Sequence, residues 1–87
     1  MAYKVVLRDE ARRAFERLDK AVQKQVQRTI DRLADNPRPG QATQLVGGVG
    51  AWRVRSGDWR ILYEIHDDEL IILVLDIGHR SRVYGDR

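Results

Sequence analysis

The sequence predicts an α+β fold in which a helical hairpin packs on one face of a mainly antiparallel sheet. Three observations support this class. Apolar residues recur at helical spacing in the N-terminal half, a loop rich in proline and glycine follows, and short strand-like segments fill the C-terminal half. The chain has 87 residues, a length typical of one domain. We therefore assign residues 1–87 to a single domain.

The N-terminal half is expected to hold one strand and two helices. The segment Tyr3–Leu7 has the pattern of a short strand. Apolar side chains then recur three and four residues apart, which predicts helices over about Asp9–Asp19 and about Lys20–Ala34. The pair Asn36-Pro37 ends the second helix, because the residue before a proline avoids helical geometry. The short connection between the helices predicts an antiparallel hairpin.

The C-terminal half is expected to form a three-stranded antiparallel meander. Residues 36–50 contain both prolines and four of the seven glycines, so this stretch is predicted as a loop. Strands are predicted at about Ala51–Arg55, Trp59–His66 and Glu69–Ile77. The last is almost wholly apolar, which is typical of a strand buried on both faces in the middle of a sheet.

Composition narrows the possible functions. The chain has no cysteine, which excludes disulfides and thiolate metal sites. Its two histidines lie thirteen residues apart, a poor basis for a metal site, so neither metal nor cofactor is expected. The N-terminus lacks the apolar core of a signal peptide, and the longest apolar run, residues 70–75, is too short to cross a membrane. A cytoplasmic protein without membrane contact is expected, with a net charge of +3 that mildly favours anionic partners.

Arginines are concentrated on one predicted hairpin. Because side chains alternate across a strand, Arg53 and Arg55 share one face of their strand, and Arg60 lies on the face of the next strand that is opposite to Trp59. A short turn would place Arg60 opposite Arg53 or Arg55. Like charges directly opposite are destabilising, so such a pair points to an anion-binding site. A charged solvent-exposed face explains the same pattern equally simply.

The C-terminal tail adds further basic and aromatic residues. Gly78, His79 and Arg80 follow the last predicted strand and are expected near the hairpin turn, and Arg82 and Tyr84 lie further along the tail. Tyr84 is suited to stacking on a base, or to closing the core. Alternation points His79 to the face opposite the arginines if the strand continues that far.

These motifs together resemble a known family. The order β-αα-βββ, the segment WRVRSGDWRILYEI at 52–65 and the segment IGHRSRVY at 77–84 are similar to the RelE/ParE toxins of type II toxin–antitoxin systems. The resemblance covers nearly the whole chain and implies a RelE-like fold. RelE-type toxins cleave mRNA in the ribosomal A site, whereas ParE-type toxins inhibit DNA gyrase and generally lack the nuclease residues.

The resemblance implies roles for individual residues and favours the RelE branch. RelE-like toxins carry basic residues where this chain has Arg53 and Arg55, an arginine at Arg60, and an arginine followed by a tyrosine where Arg80 and Tyr84 stand. The implied catalytic residues are Arg60, Arg80 and Tyr84. Contacts to RNA phosphate are assigned to the set Arg53, Arg55, His79 and Arg82.

One feature departs from the best-known RelE toxin, which has lysines at the positions of Arg53 and Arg55. Arginine is effectively always protonated, so neither residue can serve as a general base. In the cleavage that the resemblance implies, a ribose 2′-OH of the mRNA attacks the adjacent phosphate. Tyr84 is the first candidate to accept the proton of this 2′-OH, and His79 is the second.

The resemblance also implies partners. They are the ribosome with its mRNA and a RelB-like antitoxin, whose complex with the toxin is expected to bind operator DNA. Two other functions remain open, a ParE-like gyrase inhibitor without nuclease activity and a degenerate toxin that only binds its antitoxin. Loss of Arg80 and Tyr84 would not affect the gyrase role.

Overall fold

The computed structural model describes residues 2–45 and 50–80. Two helices and five strands follow in the order β1, α1, α2, β2, β3, β4, β5. Their bounds are Lys4–Leu7 for β1, Asp9–Arg17 for α1, Lys20–Asp35 for α2, Ala42–Gln44 for β2, Ala51–Ser56 for β3, Trp59–His66 for β4 and Ile71–His79 for β5. The α+β fold is confirmed, with one strand more than predicted.

The additional strand corrects the prediction for residues 36–50. The three residues of β2 pair antiparallel with β3, Ala42 opposite Val54 and Gln44 opposite Trp52. Three residues are too few for an alternation pattern to stand out beside prolines and glycines. The strand forms because β3 offers it an open edge to pair with.

The sheet is mainly antiparallel, in the order β1-β5-β4-β3-β2, and only the β1–β5 pair is parallel. The central strand is therefore β4, not β5. Along β5, Ile72, Val74 and Ile77 are buried, but Leu73 and Asp76 between them are only partly buried. The prediction that this strand is buried on both faces was wrong, because helices cover one face only.

The core lies between the helices and that covered face. Val26, Ile30 and Leu33 of α2 pack with strand residues such as Ile61 and Val74, all at most 2% exposed. The connection between the helices is short: Leu18 ends α1, and the Asp19 carboxylate accepts a hydrogen bond from the Val22 N–H at 3.1 Å, which caps α2. Among the described residues, no helix is long and apolar enough to span a membrane.

Candidate functional site

Three arginines meet on the face of the sheet that the helices leave uncovered. Arg55 on β3 lies directly opposite Arg60 on β4, and Arg53 lies opposite Leu62. Their neighbours along β3, Trp52 and Val54, point to the helix side, where Val54 is buried. The register confirms that the two strands hold like charges opposite each other.

A depression of about 300 Å³ brings the arginines together with polar residues from β2 and the loop before it. Its lining residues are Gly40, Gln41, Thr43, Arg53, Arg55 and Arg60. Thr43 lies opposite Arg53 in the β2–β3 ladder and therefore shares its face. The sequence did not predict Gln41 and Thr43 as part of the site. Their stretch was predicted as a loop, and a loop has no regular alternation from which side-chain directions follow.

Arg60 differs from Arg55 in its surroundings. Arg55 is exposed, whereas Arg60 is partly buried and its Nη1 atom is shielded from solvent. On the side of Arg60 away from β3, its partner in the sheet is Gly78 of β5. A guanidinium held in a less polar setting binds an anion more strongly than one in open water.

The β3–β4 turn is fixed to α2 from the helix side. The Gln25 amide donates to the Ser56 carbonyl at 2.6 Å, and the Thr29 hydroxyl donates to the Ser56 hydroxyl at 2.9 Å. Gly57 has a φ of 63°, and a Cβ there would clash with the Gln25 amide. The turn is thus specified by both backbone conformation and space, and it sets the register that opposes Arg55 to Arg60.

His79 and Arg80, the last residues that the structure describes, lie beside the β3–β4 turn, as the sequence predicted. The Arg80 N–H donates to the Asp58 carbonyl at 2.8 Å, so Arg80 is an exposed residue beside the hairpin turn. His79 lies opposite Trp59, and the two rings meet edge to face with centroids 5.5 Å apart. His79 is therefore on the helix side, away from the three arginines, and this placement does not favour a phosphate-binding role for it. Arg82 and Tyr84 lie outside the described residues.

The loop before β2 is anchored to the opposite end of the sheet. The buried Tyr63 hydroxyl donates to the Pro37 carbonyl at 2.7 Å, and burial raises the pKa of Tyr63 to about 12. Arg38 donates to the Asp67 carboxylate at 2.8 Å, and the Tyr3 hydroxyl donates to the same carboxylate at 2.6 Å. These hydrogen bonds, first that from Arg38 and then that from Tyr3, hold the pKa of Asp67 below its ordinary value.

The chemistry available in the depression is electrostatic. Its lining residues include neither a carboxylate nor an imidazole, so it offers cations for a phosphate but no ordinary acid–base group. Within residues 2–45 and 50–80, no group of three His, Asp or Glu side chains is placed to hold a metal ion.

Comparison with known proteins shows the family to which the chain belongs. The family model described as the ParE toxin of the type II toxin–antitoxin system parDE matches residues 5–84. A RelE-like toxin protein of Escherichia coli is 31% identical over 83 residues, 94% of this chain and 87% of that protein. The mRNA interferase toxin RelE of Escherichia coli strain K12 is 26% identical over 90 residues, covering 99% of this chain and 94% of that protein.

Solved structures agree with the sequence matches. The toxin–antitoxin complex RelBE2 from Mycobacterium tuberculosis contains a chain with a TM-score of 0.81 and 26% identity, covering 92% of this chain and 100% of that one. The archaeal RelE–RelB complex from Pyrococcus horikoshii gives a TM-score of 0.81 at 26% identity, covering 94% of this chain and 99% of that one. Because its sequence and its fold both match, the chain belongs to the RelE/ParE superfamily of type II toxin–antitoxin toxins.

Proposed function

We propose that this toxin is a ribosome-dependent endoribonuclease that cleaves mRNA in the A site and so inhibits translation. The observation that carries the proposal is the opposed pair Arg55 and Arg60, with Arg53 in the same depression. Opposing like charges reduce the stability of a sheet, and an RNA phosphate between them would relieve the repulsion. The relative named mRNA interferase toxin RelE supports the same reaction.

In the proposed reaction the ribose 2′-oxygen attacks the adjacent phosphorus, and the bond from phosphorus to the 5′-oxygen breaks. The 2′-OH proton passes to a base and the leaving 5′-oxygen takes up a proton, which yields a 2′,3′-cyclic phosphate and a free 5′-OH. Negative charge builds on the phosphate oxygens in the transition state, and preorganised cations stabilise it. We assign this task to Arg60, with Arg53 and Arg55 as further phosphate contacts.

The remaining roles fall to the end of β5 and the tail. Arg80 lies beside the hairpin turn, and we assign it a position near the leaving 5′-oxygen. Tyr84 is assigned to stack on a base or to accept the 2′-OH proton, and Arg82 to contact phosphate. Because the depression holds no ordinary base, catalysis would depend on positioning, which explains why the ribosome would be needed to hold the mRNA.

The partner that the proposal requires is a RelB-like antitoxin. The similar chains from Mycobacterium tuberculosis and Pyrococcus horikoshii were solved as complexes with RelB-type antitoxins. By analogy we propose that an antitoxin neutralises this toxin in the cytoplasm and that the complex binds operator DNA.

Primer extension on mRNA programmed into purified ribosomes tests the nuclease. We expect the wild type to cleave within the A-site codon, and Arg60→Gln and Arg80→Ala to lose at least about 100-fold in rate, the size of effect seen when a group that stabilises transition-state charge is removed. Arg28→Gln, which changes an exposed arginine on α2, is the control and should retain cleavage. Intact mRNA with the wild type would overturn the proposal.

A second candidate, inhibition of DNA gyrase, is favoured by one observation, the match of residues 5–84 to the ParE family model. A supercoiling assay with purified gyrase separates the two. Inhibition by wild type and Arg80→Ala alike, with no cleavage of mRNA on ribosomes, would establish the gyrase function instead.

A further inference from the structure

We propose that Gln41 and Thr43 recognise the nucleotide beside the scissile phosphate and so set the codon preference of the toxin. This inference rests on the proposed nuclease function. It assigns the polar side of the depression to a nucleobase and its ribose, and the arginine side to phosphate.

The backbone directs both residues into the depression. The Ala42 N–H donates to the Pro39 carbonyl at 2.9 Å, which closes a turn with Gly40 and Gln41 at its centre. The chain then enters β2, where Thr43 lies opposite Arg53 and shares its face. Both side chains are exposed and line the same depression as the three arginines.

The chemistry of the two sides is complementary. Guanidinium groups match phosphate as charged forks, whereas an amide and a hydroxyl are neutral and carry both donors and acceptors. An unpaired base is read by hydrogen bonds along its edges, and the ribose hydroxyl by a donor or acceptor. Among the described residues, neither the Gln41 amide nor the Thr43 hydroxyl hydrogen-bonds to another side chain or backbone group, so both are available to a ligand.

The loop that carries Gln41 is anchored before any ligand arrives. The Tyr63 hydroxyl donates a hydrogen bond to the Pro37 carbonyl, and the Arg38 guanidinium donates one to the Asp67 carboxylate. Arg38 also lies over the Trp52 ring, 5.7 Å from its centroid. A recognition group on an anchored loop loses less conformational freedom on binding, which favours selective recognition.

The chain provides a matched control in Gln44. It is an exposed glutamine three residues further along, but it lies opposite Trp52 and therefore points to the other face of the sheet. If the amide of Gln41 reads a base, removing the amide of Gln44 should have no such effect.

Cleavage rates over a set of A-site codons on programmed ribosomes test the inference. We expect Gln41→Ala and Thr43→Val to compress the ratio between the best and worst codons by at least about fivefold, mainly by slowing the best codons, since a lost hydrogen bond to a base is worth about 1 kcal/mol. Gln44→Ala should keep the wild-type ratio. An unchanged ratio in both Gln41→Ala and Thr43→Val, with normal cleavage by the wild type, would overturn this inference and leave the nuclease function standing.

A binding measurement separates the two proposals further. Side-chain amide NMR signals are followed as a trinucleotide with 2′-O-methyl groups, which cannot react, is added to the isolated toxin. We expect the Gln41 signals to shift and the Gln44 signals to stay. A Gln41 shift without mRNA cleavage on ribosomes would support nucleotide recognition and refute the nuclease, whereas no Gln41 shift at saturating trinucleotide would refute recognition by this residue.

Discussion

Arg55→Gln should make the protein more stable and less active at once. Arg55 is exposed and lies directly opposite Arg60, so the substitution removes one of two facing positive charges while it keeps a side chain of similar length. A solvated face without function would show no such opposition between stability and activity.

The magnitude follows from Coulomb's law. Directly opposed side chains have Cβ atoms about 5 Å apart, and two long side chains that diverge bring their charges to about 7 Å. The repulsion is then about 0.6 kcal/mol in water and about 2.4 kcal/mol at the effective dielectric constant of about 20 found near protein surfaces. Screening at 0.15 M salt reduces it by a little more than half. We therefore expect a gain of about 0.5 kcal/mol, or about 2–4 °C in Tm for a domain of this size.

Thermal unfolding at several salt concentrations is the assay, together with cleavage on programmed ribosomes. The gain in Tm should shrink at 1 M salt, where the Debye length is about 3 Å, and cleavage should fall by about tenfold, the effect of losing about 1.4 kcal/mol of transition-state stabilisation. Arg53→Gln is the comparison variant: Arg53 faces Leu62 and no cation directly across the ladder, so its gain in Tm should be smaller than that of Arg55→Gln. A Tm of Arg55→Gln that is unchanged or lower, at all salt concentrations, would refute the reasoning.

Three further substitutions test the framework around the site. Gly57→Ala should lower the free energy of unfolding by at least about 1 kcal/mol, because a φ of 63° at this position disfavours a residue with a side chain. A urea unfolding curve that matches wild type would contradict this. Leu70→Gly should raise the free energy of unfolding, measured by the same assay, by about 0.5–1 kcal/mol. Leu70 has a φ of 56°, which is strained for a residue with a side chain, and its side chain is 42% exposed. Hydrogen bonds from Arg38 and Tyr3 depress the pKa of Asp67, so its stabilising contribution is present above the ordinary carboxyl pKa of about 3.9 and is lost as the pH falls through the lower folded-state pKa. The urea midpoints of wild type and Asp67→Asn should therefore differ at neutral pH and converge in that acidic range, and a constant difference would argue against the assignment.

The sequence by itself determined the features that depend on local periodicity. Helical spacing located α1 and α2 to within a few residues. Alternation, together with a short turn, placed Arg53, Arg55 and Arg60 on one face and His79 on the other. Such patterns are readable because each residue's direction follows from its neighbours along the chain. The family resemblance rested on the same local motifs.

Only the tertiary structure decided how separate segments meet. The register chose Arg55 as the partner of Arg60, and the open edge of β3 turned part of a predicted loop into β2, which carries Thr43 to the site. The contact between Arg38 and Asp67 joins residues 29 apart in the chain. No periodicity encodes such contacts, because they form only when packing of the whole sheet brings the two segments together.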